Sequence, residues 1–346
     1  MLKTFSATLT PMITLFLCII IGFTVKKLNI ISDASRKVIA KLITWVFYPA
    51  LSFSTMARSF TATTLTKHLS NILLSTVALF IAIPLAIILS GLFIRKKCYE
   101  RGVYQYALAF GNSGYMGDPL VDAMFGTSVL SFYKIACLPI TLGIYTWGMT
   151  TLVPADKAMK KGAWKKLITP PLVAMLIGMA TGLISGAIVT DIPVGSSAYD
   201  VIFPKFLVST IDSLKACMGP LAMILAGVTV ASYDFFGMFK DKKVYFATAL
   251  RLIILPAVIL GALFGIKELA NLAFGISLDN TAIILLFFAY AAPLGLNTIV
   301  FPEAYGGDPK TGASMTLISH TLCVITIPLM FSLLMALFGA DTWLTI

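Results

Sequence analysis

Charge is what this chain has least of. Of its 346 residues only 12% are Asp, Glu, Lys or Arg, while 58% are hydrophobic, and the mean hydropathy is +0.93; a soluble domain carries about 25% charged residues. A water-soluble fold is excluded. Histidine is scarcer still, with His68 and His320 alone, too few for a His-Glu-x-x-His zinc site, and no Gly-x-x-x-x-Gly-Lys-Ser/Thr loop is present to hold a nucleotide phosphate. The run Tyr115 to Asp118, Tyr-Met-Gly-Asp, also departs from the Gly-x-Gly-Asp of intramembrane aspartyl proteases. Neither an enzyme nor a resident metal or cofactor is expected. The five cysteines are scattered, four within apolar runs and Cys98 in a basic loop, and read as packing residues. Acidic residues number 15 against 26 basic, a formal net charge of +11. In so apolar a chain an excess of bases reports loop orientation before it reports nucleic acid, so no nucleic-acid partner is expected.

What is abundant is the long apolar run. A membrane-spanning helix needs roughly 20 mostly apolar residues, and ten such runs can be marked: 5–25, 38–57, 70–94, 103–125, 129–151, 170–189, 206–232, 244–266, 281–303 and 312–338. The first is too long for a signal-peptide core and lacks a cleavage site before Lys26 and Lys27, so it reads as a membrane helix. The loops after runs one, three, five, seven and nine hold 17 Lys and Arg, five of them between Lys157 and Lys166, whereas the opposite side holds 5. The positive-inside rule makes the basic face cytoplasmic and puts both termini outside, in a multi-pass plasma-membrane protein whose principal partner is the bilayer.

Prolines suggest an internal repeat. Runs one to five carry Pro11, Pro49, Pro84, Pro119 and Pro139, and runs six to ten carry Pro171, Pro220, Pro256, Pro293 with Pro302, and Pro328. Pro11 precedes Gly22 by 11 residues, as Pro171 precedes Gly182; Pro49 and Pro84 are 35 apart, Pro220 and Pro256 are 36. Five spans is an odd number, so a second copy enters the membrane from the opposite side. The expected organisation is an all-α integral membrane protein: a first five-helix repeat over 1–151, a basic cytoplasmic linker over 152–169, and a second, inverted repeat over 170–346. Inverted repeats are a signature of secondary transporters.

Two runs are ill suited to continuous helix. Residues 110–119 read Phe-Gly-Asn-Ser-Gly-Tyr-Met-Gly-Asp-Pro, and the corresponding run nine reads Ala-Ala-Pro-Leu-Gly-Leu-Asn-Thr over 291–298. Gly and Pro disfavour helix interiors, and irregular backbone at membrane depth survives only where protein or water satisfies its polar groups. Each break exposes helix ends, whose free N–H groups attract anions and whose free carbonyls hold cations.

The run from Gly111 to Leu120, the Phe-Tyr-Pro-Ala-Leu of 47–51 and the Pro293 to Asn297 break resemble the auxin efflux carrier family of membrane transporters, over essentially the whole chain. The resemblance implies ten helices in a five-plus-five inverted repeat whose spans four and nine cross at their unwound centres. It implies a short, bacterial-type member in the bacterial inner membrane, since the loop between spans five and six is short. The relatives are associated with malate, malonate and other small organic acids. The crossover fold of sodium and bile acid symporters is the nearest alternative, and the Asn-Ser-Gly-Tyr-Met-Gly run favours the auxin carrier group.

Candidate substrate contacts are the residues of the two breaks, Asn112, Ser113, Gly114, Tyr115, Pro293, Asn297 and Thr298, together with Lys134. An amide both donates and accepts, which puts Asn112 and Asn297 first; helix capping is their structural alternative. Candidates for a coupling ion, H+ or Na+, are Asp118, Asp122 and His320. Asp118 directly before Pro119 also fits the start of a half-helix, and Lys134 is placed to neutralise an aspartate or a substrate carboxylate. Asp212 and Lys215 are expected to pair along one helix, and Lys41 and Arg251 to reach towards basic loops. The function expected is alternating-access transport of a small mono- or dicarboxylate, with a channel or a transporter-derived receptor as rivals. Carriers of this architecture often form homodimers, though no interface signature is evident.

Overall fold

The computed structural model describes residues 2–96, 98–153, 169–189, 192–193, 195–238, 240–275 and 280–338. Most of the basic linker, including Lys157 to Lys166, lies outside them. The regular structure of the described residues is helical apart from one isolated β-bridge. In chain order the helices are α1 (Leu2–Lys27), α2 (Asp33–Leu42), α3 (Tyr48–Ser59), α4 (Ala62–Lys67), α5 (Leu69–Phe93), α6 (Tyr99–Ala109), α7 (Asp118–Ala136), α8 (Leu138–Gly143), α9 (Met149–Leu152), α10 (Pro170–Ile188), α11 (Ala198–Ile202), α12 (Lys205–Ala231), α13 (Phe235–Met238), α14 (Lys242–Ala249), α15 (Leu255–Phe274), α16 (Asn280–Ala291), α17 (Asn297–Tyr305) and α18 (Lys310–Phe338).

Among the described residues, six helical stretches are long and apolar enough to cross a membrane: Asp33–Ser59, Leu69–Phe93, Pro170–Ile188, Lys205–Ala231, Lys242–Ala273 and Lys310–Leu334. Their outward faces carry bare apolar side chains such as Phe80, Ile88, Leu272 and Phe206. Water would not tolerate so broad an apolar surface, and lipid would.

Proline shapes several helices in one way. Its ring collides with the carbonyl four residues back and it offers no N–H, so a helix must kink or widen there. A five-residue π-helical turn stands immediately before Tyr48-Pro49, before Asp118-Pro119 and before Leu255-Pro256, at Ile43–Phe47, Ser113–Gly117 and Leu250–Ile254 respectively. Each wider turn contains the residue whose carbonyl the proline would strike. A fourth π turn, Ile144–Gly148, joins α8 to α9. At Gly126 the chain turns with φ +82°, a left-handed conformation that suits glycine, and this divides α7 in two. The end of run four at 125 is thus where the sequence places it.

Two glycine seams set the packing. α1 lies along α12 and α10 lies along α3. A methyl group on Gly22 would strike the Ile224 carbonyl and one on Gly227 the Ile19 carbonyl; on the other seam Gly178 faces the Phe53 carbonyl and Gly182 those of Phe60 and Met56. Small residues that let helix backbones touch are how helices associate where lipid removes the hydrophobic drive.

Candidate functional site

The two interrupted helices meet at backbone level. Gly111 and Leu294 form an antiparallel bridge, and the Asn112 N–H donates to the Pro293 carbonyl at 2.8 Å. The first break is narrower than the sequence suggests. Phe110 is extended (φ −120°, ψ 122°) and Asn112 is non-helical, but from Ser113 onward the chain is already wound in its π turn, with Asp118 in right-handed helical geometry. Asp118 is therefore not a helix cap: the π turn absorbs Pro119, and the N–H groups of Met116 and Gly117 both donate to the Asn112 carbonyl at 3.1 Å. The second break runs from Ala292 to Leu296, with the Leu294 N–H donating to Ser319 Oγ at 3.2 Å.

A cavity of about 70 Å³ lies at the crossing, with room for roughly five waters. Its wall includes Asn112, Ser113, Gly114, Tyr115, Asp118 and Lys134 from the first half and Asn297 from the second. Pro293 and Thr298 are not part of it. Pro293 gives its carbonyl to Asn112, and the Thr298 hydroxyl turns back to the Gly295 carbonyl at 2.9 Å. His320 stands behind Asn112 rather than in the wall. Asp122 lies on α7, and its side chain is outside the described ones.

Lys134 and Asp118 form an ion pair at 2.5 Å, with side chains only 10% and 16% exposed. A Lys ammonium has three donors. Asp118 takes one and Thr55 Oγ1, at 3.2 Å, a second, which leaves one for a ligand.

The orientation of Asn112 follows from its neighbour. His320 Nδ1 lies 2.9 Å from the Thr316 carbonyl, an acceptor only, so in the neutral ring Nδ1 carries the proton and Nε2 accepts. Asn112 Nδ2, 3.0 Å away, must be the donor to Nε2. That leaves Asn112 Oδ1 buried without a hydrogen-bond partner, so the fixed tautomer decides which amide face is spare. Asn297 is held by its Nδ2, which donates to the Tyr106 hydroxyl at 2.7 Å, and its Oδ1 is likewise unpartnered.

Sequence reasoning missed an aromatic and hydroxyl wall. Tyr48, Ser52, Thr55, Tyr133 and Tyr145 all face the cavity; Tyr133 donates to the Ser113 carbonyl at 3.2 Å and Tyr145 lies 3.4 Å from Ser52. Tyr48, within the 47–51 motif, was the signal available. Two charged residues also differ from expectation. Arg251 does not reach a loop: it is fully buried and grips backbone carbonyls of both interrupted helices. Asp212 pairs with Arg58 through two 2.7 Å bonds instead of with Lys215, because α3 brings the guanidinium alongside α12, where Asp200 joins it at 2.9 Å.

The cavity shares Leu51, Gly114, Tyr115, Asp118 and Lys134 with a vestibule of about 380 Å³ that continues to Lys215, Ala216 and Gly219. Beyond Ala216 lies an open cleft bearing Asp200, Lys205 and Asp212. At the opposite end, Arg36 Nε meets the buried Glu303 at 2.8 Å, tying α2 to α17.

Apolar helices bare towards lipid, closing on a polar cavity where two helices are interrupted, define a multi-pass membrane protein. A family model described as membrane transport protein matches residues 7–331, and the chain belongs to this family of transporters, the auxin efflux carrier group that its motifs resemble. No curated protein matches the chain.

Proposed function

We propose that the protein is a secondary carrier of a small organic anion, built of ten spans in two inverted five-helix repeats, 1–151 and 170–346, joined by a cytoplasmic linker, and working by alternating access. The observation that carries this reading is the cavity at the crossing, where one Lys134 donor and the amides of Asn112 and Asn297 converge. Lys134 suits a carboxylate, and the spare Asn112 Oδ1 suits a donor such as a hydroxyl elsewhere on the acid. The seams support the repeat: the first helix of each proposed half packs on the second span of the other. The passage towards Asp212, with Arg36–Glu303 closing the other end, supports one-sided access; under the positive-inside orientation, with both termini outside, that is the outward-facing state. Asp118, His320 and Asp122 are the candidates for coupling to a proton or sodium ion.

The test is uptake by proteoliposomes carrying the purified protein, with lactate, pyruvate, malate and malonate as labelled substrates. A carrier saturates and shows counterflow, in which unlabelled acid inside drives labelled acid in. Flux that never saturates identifies a channel, and binding without flux a receptor. Either result defeats the reading.

A further inference from the structure

Arg251 lies in the π turn Leu250–Ile254, and its guanidinium is fully buried. Its hydrogen bonds all go to backbone: Nη1 to the Leu108 carbonyl at 2.9 Å, Nη2 to Ala289 at 3.2 Å and Nε to Ala292 at 3.4 Å. Leu108 is in the last turn of α6, Ala289 in the last turn of α16, and Ala292 opens the second break. No carboxylate among the described residues pairs with it; the Tyr290 ring centroid lies 5.9 Å from the guanidinium carbon. Gly111, which forms part of the cavity wall, lies directly against it: a methyl group there would collide with Arg251 Nη2.

Four half-helix ends meet at this crossing. The carbonyl ends of α6 and α16 each carry about half a negative charge, and the N–H ends leading into α7 and α17 about half a positive one. Left alone these would cancel, and the crossing would prefer neither sign of ligand. The Asp118–Lys134 pair also cancels. One guanidinium bound to both carbonyl ends offsets their negative charge and leaves the two N–H ends uncompensated.

We propose that Arg251 is a positioning residue that makes the crossing selective for anions without touching the substrate, by neutralising the carbonyl ends of both interrupted helices. The inference rests on the crossing being the substrate site. Its role is electrostatic, so it governs the preference for a charged acid over a neutral molecule of the same shape.

The experiment measures binding of lactate, pyruvate, malate and malonate, each beside its neutral amide, to the purified full-length protein. Wild type is compared with Arg251→Gln, which keeps amide donors for the carbonyls but no charge, with Arg251→Lys, and with Tyr290→Glu, which sets a carboxylate beside the guanidinium. Wild type is expected to favour acid over amide. Arg251→Gln and Tyr290→Glu should each lower that ratio tenfold or more, equivalent to about 1.4 kcal/mol, while Arg251→Lys retains it. A merely structural arginine would weaken acid and amide together and leave the ratio unchanged. Either charge-cancelling variant, folded by size exclusion and showing the parental ratio, overturns the proposal alone. Failure of all four acids to bind wild type overturns the reading of the site and the proposal with it.

Discussion

The two breaks do different work. The first, at Phe110–Asn112, opens onto the cavity, and the half-helix that follows carries Asp118, which pairs with Lys134 from beyond the turn at Gly126. The second, from Ala292 to Leu296, reaches the cavity through Gly295 and Leu296, and its backbone is held by Ser319, by Asn112 and by Arg251. Of the cavity wall, the second half supplies mainly Gly295, Leu296 and Asn297, with Met175. Of two interruptions of similar composition, the first leads into the ion-paired Asp118 and the second is braced mainly through its backbone.

That contrast can be broken by mutation. The largest effect is expected at Lys134→Met, which takes the cation from beside the Asp118 carboxylate; breaking a buried ion pair by removing one member costs about 3–5 kcal/mol. Anion uptake should vanish and thermal stability fall. Adding Asp118→Asn should restore stability but not uptake. Parental uptake by Lys134→Met would remove the ion pair from the transport site.

Glycine gives the next test. A methyl at Gly111 meets Arg251 Nη2, the Ala289 oxygen at 2.8 Å and the Ala292 oxygen at 3.0 Å, whereas one at Gly295 finds Tyr106 and two carbonyls at 3.3 to 3.5 Å. Overpacking typically costs about 1–3 kcal/mol, so Gly111→Ala should lie at the top of that range and Gly295→Ala below it. Equal losses in a detergent melting series would erase the difference between the two breaks.

Asn112→Ala and Asn297→Ala compare the breaks at the cavity itself. Losing a buried hydrogen-bonding partner costs about 1–3 kcal/mol. Asn112→Ala should be the more damaging to uptake, because it also strands His320 Nε2 and frees the break from its amide anchor. A larger loss from Asn297→Ala would shift the chemistry to the second break.

The smallest effect concerns the clasp at the open end, remote from both breaks. Burial raises the Asp200 carboxyl pKa, but the hydrogen bonds from Arg58 and Ser197 outweigh it and hold the group below its ordinary value. A depressed carboxyl stabilises the fold above the unfolded value, about 3.9, and loses that contribution as pH falls through the folded one. Melting temperature should therefore drop more steeply below about pH 4 in wild type than in Asp200→Asn. Parallel curves would show that Arg58 holds Asp212 alone.

Much of this was legible in the sequence. The apolar runs coincide with helices, and the Gly, Asn and Pro clusters mark both interruptions, because composition reports directly on where a helix cannot continue. Lys134 facing an aspartate was readable from the cost of isolated charge in an apolar run. The pairing of Asp212 with Arg58 was not, since it joins residues 154 positions apart. Arg251 misled for a local reason: its distance from the basic loop allowed a side chain to reach it, and the π turn beneath the residue changes the face it presents. The extent of the first break misled likewise, because the same kind of turn accommodates Pro119.

The glycine seams have a consequence for how the molecule is made. Gly22 of α1 meets its partner surface only at Ile224, and Gly227 of α12 closes on Ile19. α1 therefore lies in the bilayer without this partner until α12, Lys205–Ala231, has been synthesised. A chain interrupted after α9 leaves Gly22 without its seam, and the order of synthesis completes the α10–α3 seam before the α1–α12 seam.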